Sequence, residues 1–250
     1  MTGSGIFFLL LTQPMYNLLI VCYHALSAIG IADLGWAIIA LTVVVKLVLM
    51  PFTAKSIKAQ KAMQALQPHL DEIKEKYKDK KEEQAKAMMA VYKEHNINPA
   101  SSCLPLLIQM PILIALYNVL RRSVNDSESL AMLYTFIPAP EVINHIFLGI
   151  IDLGVRSIPL AIIAGIIQYV QAKMLEAKRP PSSLGKKEGA KDESMAAAMT
   201  KSMTYTMPIV TVIFGASLPG GVMLYWLVSN LVSVLQQFVL FRTPKETPAA

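Results

Sequence analysis

Five apolar runs divide this chain: Leu34–Phe52, Ser102–Leu120, Ser157–Leu175, Met199–Ser217 and Val222–Phe241. At about 1.5 Å of rise per residue, a helix made from one such run spans roughly 28 Å, close to the hydrocarbon thickness of a bilayer. The runs are continuous and lack the two-residue alternation of strands, so the pattern predicts a bundle of five membrane-spanning helices, all-α, and argues against a barrel.

The periodicity extends beyond the runs. From Pro14 onward, Met15, Leu18, Leu19, Cys22, Leu26 and Ile29 recur at helical spacing with Asn17, His24 and Ser27 between them. This predicts an outer interfacial helix over residues 14–30, opened by Pro14 and ended by Gly30. The alternative is a sixth span, which carries both chain ends to one side. After Phe52 the first helix runs on through Lys55, Lys58 and Lys61 until Pro68 breaks it. Leu70, Ile73 and Tyr77 then form one apolar face, and Ala85, Met88, Met89 and Tyr92 another. Residues 54–98 therefore predict a charged helical hairpin, longer and more patterned than a plain solvated connection needs to be. Residues 123–156 predict an outer loop, interfacial around Phe147–Leu153, and residues 178–192 a flexible inner loop rich in Pro, Gly, Ser and Lys. Leu218-Pro219-Gly220-Gly221 makes a tight turn between the last two runs, and residues 1–250 read as one membrane domain.

Charge orients this array. Residues 1–45 contain no Lys or Arg, residues 54–98 contain ten lysines, and residues 173–201 contain seven basic residues. Basic segments stay in the cytoplasm, which puts the N-terminus outside and the C-terminus, with Arg242 and Lys245, inside. Five spans satisfy that parity. Arg121, Arg122 and Arg156 are exceptions, at outer ends where they reach headgroups. The net charge of +6 then records topology and contact with anionic lipid, and calls for no specific nucleic-acid site.

Polar groups inside the runs are few. Lys46 lies five residues before Pro51, about 7–8 Å from the helix end. A lysine central in a span costs roughly 2.5–3.5 kcal/mol on insertion scales, so it either snorkels to the near surface or faces a polar cavity. Gln109 sits seven residues from the inner end of the second run, and Gln168 five residues before Lys173. Counted from the cytoplasm, the three share a depth, which predicts a wet pocket in the inner leaflet; singly, each glutamine reads as an interhelical hydrogen bond. Asn230, Ser233 and Gln237 share a face of the fifth run.

Composition agrees: 54% of residues are hydrophobic, 16% are charged and mean hydropathy is +0.47, which marks an integral membrane protein. Cys22 and Cys103 fall on opposite sides of the membrane, so no disulfide joins them. The four histidines are scattered, there is no HExxH or CxxC, and Gly185-Lys186-Lys187 lacks the rest of a Walker loop. No metal, cofactor, ATP site or enzymatic chemistry is expected. Residues 6–11 follow no basic residue, which supports a standard signal peptide poorly.

The order of a lysine-bearing first span, a hairpin ending YKEHNINP (Tyr92–Pro99), then CLPLLIQMPILIALY (Cys103–Tyr117) and the segments MP (Met207-Pro208) and LPGGVMLYWLVSNLVSVLQQ (Leu218–Gln237) resembles the YidC-type membrane protein insertases, relatives of the mitochondrial and chloroplast insertases. The resemblance covers roughly residues 14–242. It implies five helices around an inner-leaflet hydrophilic groove, open to cytoplasm and lipid and closed toward the outside, that inserts and folds membrane proteins. Lys46 matches a groove position that is usually arginine, and lysine lacks the bidentate fork. Gln168 and Trp226 match groove positions in relatives. Nascent membrane proteins are the implied substrates, with the ribosome, the signal recognition particle receptor and the Sec translocon as candidate partners, and the hairpin is expected to dock incoming chains or their targeting machinery through exposed Met88 and Met89. Val21 stands where a lipoprotein signal needs a small residue, so lipidation of Cys22 is not expected, and with eight residues after Arg242 ribosome contact falls to the hairpin and the 178–192 loop. The rival classes are a small solute transporter or channel, which predicts an inverted repeat that five unequal spans lack, and a structural subunit, which leaves Lys46 without a task.

Overall fold

The computed structural model describes residues 5–78, 80–98, 104–121, 127–176 and 202–242; Cys103, Arg122, Asp126, the 178–192 loop, Lys245 and the start of the Met199–Ser217 run lie outside the described residues. In chain order the elements are α1 (Gln13–Ser27), α2 (Leu34–Val48), α3 (Met50–Ala65), α4 (Gln67–Lys76), α5 (Lys81–Glu94), α6 (Leu104–Leu120), the single turn α7 (Ser127–Leu130), the strands β1 (Ile146–Phe147) and β2 (Ile151–Asp152), α8 (Ile158–Glu176), α9 (Met207–Gly215) and α10 (Gly220–Arg242). The two strands pair Ile146 with Asp152 and Phe147 with Ile151, a small addition to the all-α expectation. At two residues each they are too short to leave an alternation in the sequence.

α10 packs against α8, α2 and α6, α9 packs on α8, and α1 lies along α2. Gly165 lets α9 approach α8: a Cβ there stands 2.5 Å from Val212 Cγ2 and 3.1 Å from the Pro208 carbonyl. Small residues serve this purpose wherever helices must close up in lipid. Outward-facing positions are apolar, including Val43, Val44, Leu47 and Val48 on α2, Ile162, Ile163 and Ile166 on α8, and Ile209, Ile213 and Phe214 on α9. Lys46, Thr42, Ser229 and Gln237 are buried. Apolar outside with polar groups inside is a membrane protein's distribution.

By length and composition, Phe8–Ser27 and Gly220–Val239 can each cross a membrane, and α2 with α3 adds a third if the bent pair counts as one; the apolar stretches of α6, α8 and α9 are shorter. The straight helix expected over Leu34–Phe52 is bent by 64° where α2 meets α3. Pro51, two residues past the junction at Leu49, has no N–H for the helical ladder and crowds the preceding turn. Thr53 Oγ1 adds a side-chain contact across the bend, 3.0 Å from Met50 O and 3.2 Å from Leu49 O. Pro14 stands in the first turn of α1, as expected, but the chain is already helical upstream, through a π-helical turn, Phe8–Thr12. There the Gln13 N–H reaches Phe8 O, a wider turn that carries the chain past a proline. The same arrangement recurs at Ser202–Thr206 before Pro208. Pro111, in contrast, sits inside a continuous α6.

Residues 127–156 form a cover over α1. Asn17, 2% exposed, donates to Met132 O and accepts from Tyr134 N, both at 2.8 Å. Further along α1, Tyr23 Oη donates to Val142 O and accepts from Asn144 N, each at 3.2 Å, and His24 Nε2 lies 2.9 Å from Pro138 O. Asp33 caps α2 through Gly35 N at 2.7 Å and holds the β-turn through Leu148 N at 3.0 Å. That turn passes through left-handed backbone, with φ of 54° at Leu148 and 75° at Gly149.

The hairpin forms its own small core. Leu66, Leu70 and Tyr92 are buried with Met63, Met88, Val91 and Ile97 packed around them, and burial pushes the Tyr92 phenol pKa up. Asp71 is tied within α4 by Lys74 Nζ at 2.7 Å and Gln67 Nε2 at 2.9 Å. The expectation of two exposed methionines is corrected: Met88 turns into this core, one residue out of step with Met89, which is 50% exposed.

Candidate functional site

Tyr225, Ser229 and Ser233 fall at i, i+4 and i+8 of α10 and therefore stack on one face over two turns, about 12 Å. At one end Lys46 Nζ, from the last turn of α2, donates to Ser233 Oγ at 2.9 Å. Ser233 Oγ passes its own proton to Ser229 O at 2.9 Å. At the other end Gln109 Nε2, from α6, donates to Tyr225 Oη at 2.9 Å, and Tyr225 also hydrogen-bonds Ser229. Lys46 and Gln109 thus belong to one polar line. They join it two turns apart, so the common depth expected for them becomes a path along α10.

An ammonium has three N–H donors, and Ser233 takes one. Lys46 is nevertheless 8% exposed. On the helices of this bundle stand buried polar atoms without partners: Gln168 Oε1 on α8, and Trp226 Nε1, Asn230 Nδ2 and Gln237 Oε1 on α10, where Asn230 and Gln237 flank Ser233 at helical spacing. Each such atom costs about 1–3 kcal/mol unless a polar group meets it. Gln168 and Trp226, expected groove residues, are placed among these unmet groups rather than in the bonded ladder. Ser229 and Tyr225 escaped the sequence reading, because a tyrosine in an apolar run reads as bulk and one serine as a packing residue. Their four-residue spacing with Ser233 was the available signal.

Lys46 lines neither of two open depressions at the opposite end of the bundle. The larger, about 550 Å³, is bounded by Tyr117, Gly154, Val155, Arg156, Ser217 and Pro219. The smaller, about 160 Å³, is bounded by Leu113, Ile114, Tyr117, Leu218 and Val222. Among the described residues no group of three metal-ligating side chains converges.

The profile of a family described as 60Kd inner membrane protein matches residues 25–247. The chain belongs to that family. Within the 60Kd inner membrane protein family, the membrane protein insertase YidC of Fusobacterium nucleatum is 31% identical over 212 residues, covering 85% of this chain and 88% of the relative. The membrane protein insertase MisCA of Bacillus subtilis is 34% identical over 212 residues, covering 82% of this chain and 69% of the relative. Other members are longer: the chain spans 35% of the YidC of Pelobacter propionicus, at 31% identity. A crystal structure described as active YidC insertase with the first transmembrane domain resolved matches with a TM-score of 0.58 at 25% identity, covering 93% of this chain and 47% of that one.

Proposed function

We propose that this membrane protein insertase works as a five-span bundle in the bacterial plasma membrane, where the polar line along α10 receives the polar flank of an incoming segment while its apolar part passes to lipid. The observation that carries this is a buried lysine with donors to spare, bonded to Ser233 on the same helix that carries the unmet polar groups of Asn230 and Gln237 at helical spacing from it. Water and a substrate's polar flank both satisfy such groups. Entry of the apolar segment is downhill by about 0.3–0.6 kcal/mol per central apolar residue, so no ATP chemistry is called for. The barrier is the flank, and a hydrated notch shortens its path through hydrocarbon. Lys46 supplies attraction for acidic flanks.

Five spans are favoured over six although Phe8–Ser27 is long enough to cross. Irregular backbone is not tolerated facing lipid, and the 127–156 cover follows α1 from Asn17 to His24. On this reading α1 lies along the outer surface and closes the bundle toward the outside. The α4–α5 hairpin is the docking element for incoming chains or for the ribosome, the signal recognition particle receptor or the Sec translocon. Its exposed Met89 offers an adaptable apolar contact amid lysines.

Orientation is tested in a variant without Cys22 and Cys103. Lys80→Cys is expected to react with an impermeant thiol reagent from the cytoplasmic side and Glu128→Cys from the outside; the reverse pattern puts Lys46 in the outer leaflet and ends this reading. Function is tested by a photocrosslinker at position 46 in vesicles receiving a ribosome-bound nascent membrane protein. Adducts are expected at the flank of the entering segment, and their absence while insertion proceeds removes Lys46 from the substrate path.

A further inference from the structure

Two of the arginines that break the positive-inside pattern stand at this end of the bundle, Arg156 in the wall of a depression and Arg121 over a tyrosine of that wall, with a purpose the insertion path does not use. Arg156 lines the depression of about 550 Å³ at the end of the bundle opposite the lysine-rich hairpin. Its backbone is pinned there: it bridges to Pro219, and the neighbouring strap is held by Gly220 N donating to Val155 O at 2.7 Å and Gly221 N to Leu153 O at 2.9 Å. Arg121 leans over Tyr117, its guanidinium carbon 5.9 Å from the ring centroid, and Tyr117 is part of the same wall. The exposed Ser217 adds a hydroxyl. The nearby carboxylate, Asp152, is engaged by Gly154 N at 2.8 Å, and neither arginine forms an ion pair among the described residues.

Tyr117 also lines the second depression, which is otherwise wholly apolar and lies between α6 and the turn into α10. A cationic basin therefore opens, past one shared tyrosine, onto an apolar slot. The flanking Ile114, Phe214, Val155 and Ile158 are exposed, as lipid-facing side chains are. We propose that this is a binding site for one anionic phospholipid, its phosphate held between Arg121 and Arg156 beside Ser217 and one acyl chain laid in the slot of Leu113, Ile114, Leu218 and Val222. Guanidinium forks match phosphate geometry, and hydrocarbon directly below a phosphate is what a glycerophospholipid supplies and a free anion does not. The lipid seals the outer seam between α6 and the α9–α10 turn, away from the groove.

The test is native mass spectrometry of the full chain released from vesicles of mixed phosphatidylglycerol and phosphatidylcholine, with no insertion substrate present, so that its outcome is separate from that of the groove. Wild type is expected to retain one phosphatidylglycerol. Arg121→Gln and Arg156→Gln are each expected to weaken retention roughly tenfold, the loss of one charge-assisted contact. Ile114→Trp, which fills the slot and leaves the charges alone, is expected to weaken it as well, while Lys55→Gln/Lys58→Gln at the other end is expected to leave it unchanged. Thermal unfolding of each variant separates lost binding from lost fold. Retention unaffected by either arginine substitution overturns the site. So does displacement of the lipid by inorganic phosphate together with indifference to Ile114→Trp, which reduces it to an anion contact only.

Discussion

Lys46→Glu is expected to abolish insertion of substrates with acidic flanks, Lys46→Arg to retain it, and Lys46→Ala to separate the explanations. A carboxylate about 4 Å from the ammonium gains about 4 kcal/mol at an effective dielectric near 20, against about 1 in water. Part of that is lost to desolvation. A net of about 1.4–2.8 kcal/mol corresponds to roughly a ten- to hundredfold effect on capture. Glutamate repels the same flank and fails, and arginine keeps the charge and approximate reach. Alanine removes the attraction while leaving Ser233 bonded to Ser229 O, so no new orphan is created, and an expensive cation leaves the membrane. The alanine variant is therefore expected to accumulate normally. It is expected to insert a substrate with two flank carboxylates about tenfold more slowly than wild type does and a matched neutral one at the wild-type rate, as loss of the same capture energy requires. The measurement is insertion of that pair into vesicles carrying each variant. Equal slowing of both assigns Lys46 to hydration or structure, and no slowing of either returns it to snorkelling.

The contrast between Lys46 and its neighbours shows what a linear reading can hold. The apolar runs, the hairpin and the buried lysine were legible, because long apolar stretches and a lone charge need no partner to be noticed. The partner of Lys46 was half legible: Ser233 stood on a recognised face, but with Asn230 and Gln237, and the structure chooses Ser229 and Tyr225 to continue the line. Which polar group bonds and which stays orphaned depends on where α2, α6 and α8 cross α10, a relation between distant segments that periodicity does not carry. Met88 and Met89 show the same limit on a smaller scale. On a helix of 3.6 residues per turn adjacent positions diverge by about 100°, so one faces the hairpin core and the other does not. The arginines are the opposite case. Arg121 and Arg156 were visible as exceptions to a charge rule, yet the depression lined by Arg156 and by Tyr117, over which Arg121 leans, includes a backbone bridge between Arg156 and Pro219, 63 positions apart in the numbering.

Asn17→Leu is expected to detach the cover from α1. Asn17 is a polar residue on an otherwise apolar helix face, and its amide makes three contacts at 2.8 Å: to Gln13 O within α1, to Met132 O, and from Tyr134 N. Leucine has a similarly branched shape and a higher helix propensity, so α1 itself is preserved. Met132 O keeps a bond from Gln13 Nε2 at 3.2 Å, but the Tyr134 N–H is left buried and unpaired. An orphaned donor costs about 1–3 kcal/mol. For a chain of this size that corresponds to a fall of roughly 2–10 °C in thermal midpoint. Cys22, buried and unpaired one turn further along α1, is a native reporter. In a Cys103→Ser background, Cys22 is expected to resist an impermeant thiol reagent applied from outside, and to react once Asn17→Leu lets α1 lift from α2. Tyr23→Phe, which removes the hydroxyl contacts to Val142 and Asn144, is expected to act in the same direction. If Cys22 stays protected and the midpoint does not move in Asn17→Leu, the cover is a passive loop, and closure of the bundle toward the outside rests on α1 and α2 alone.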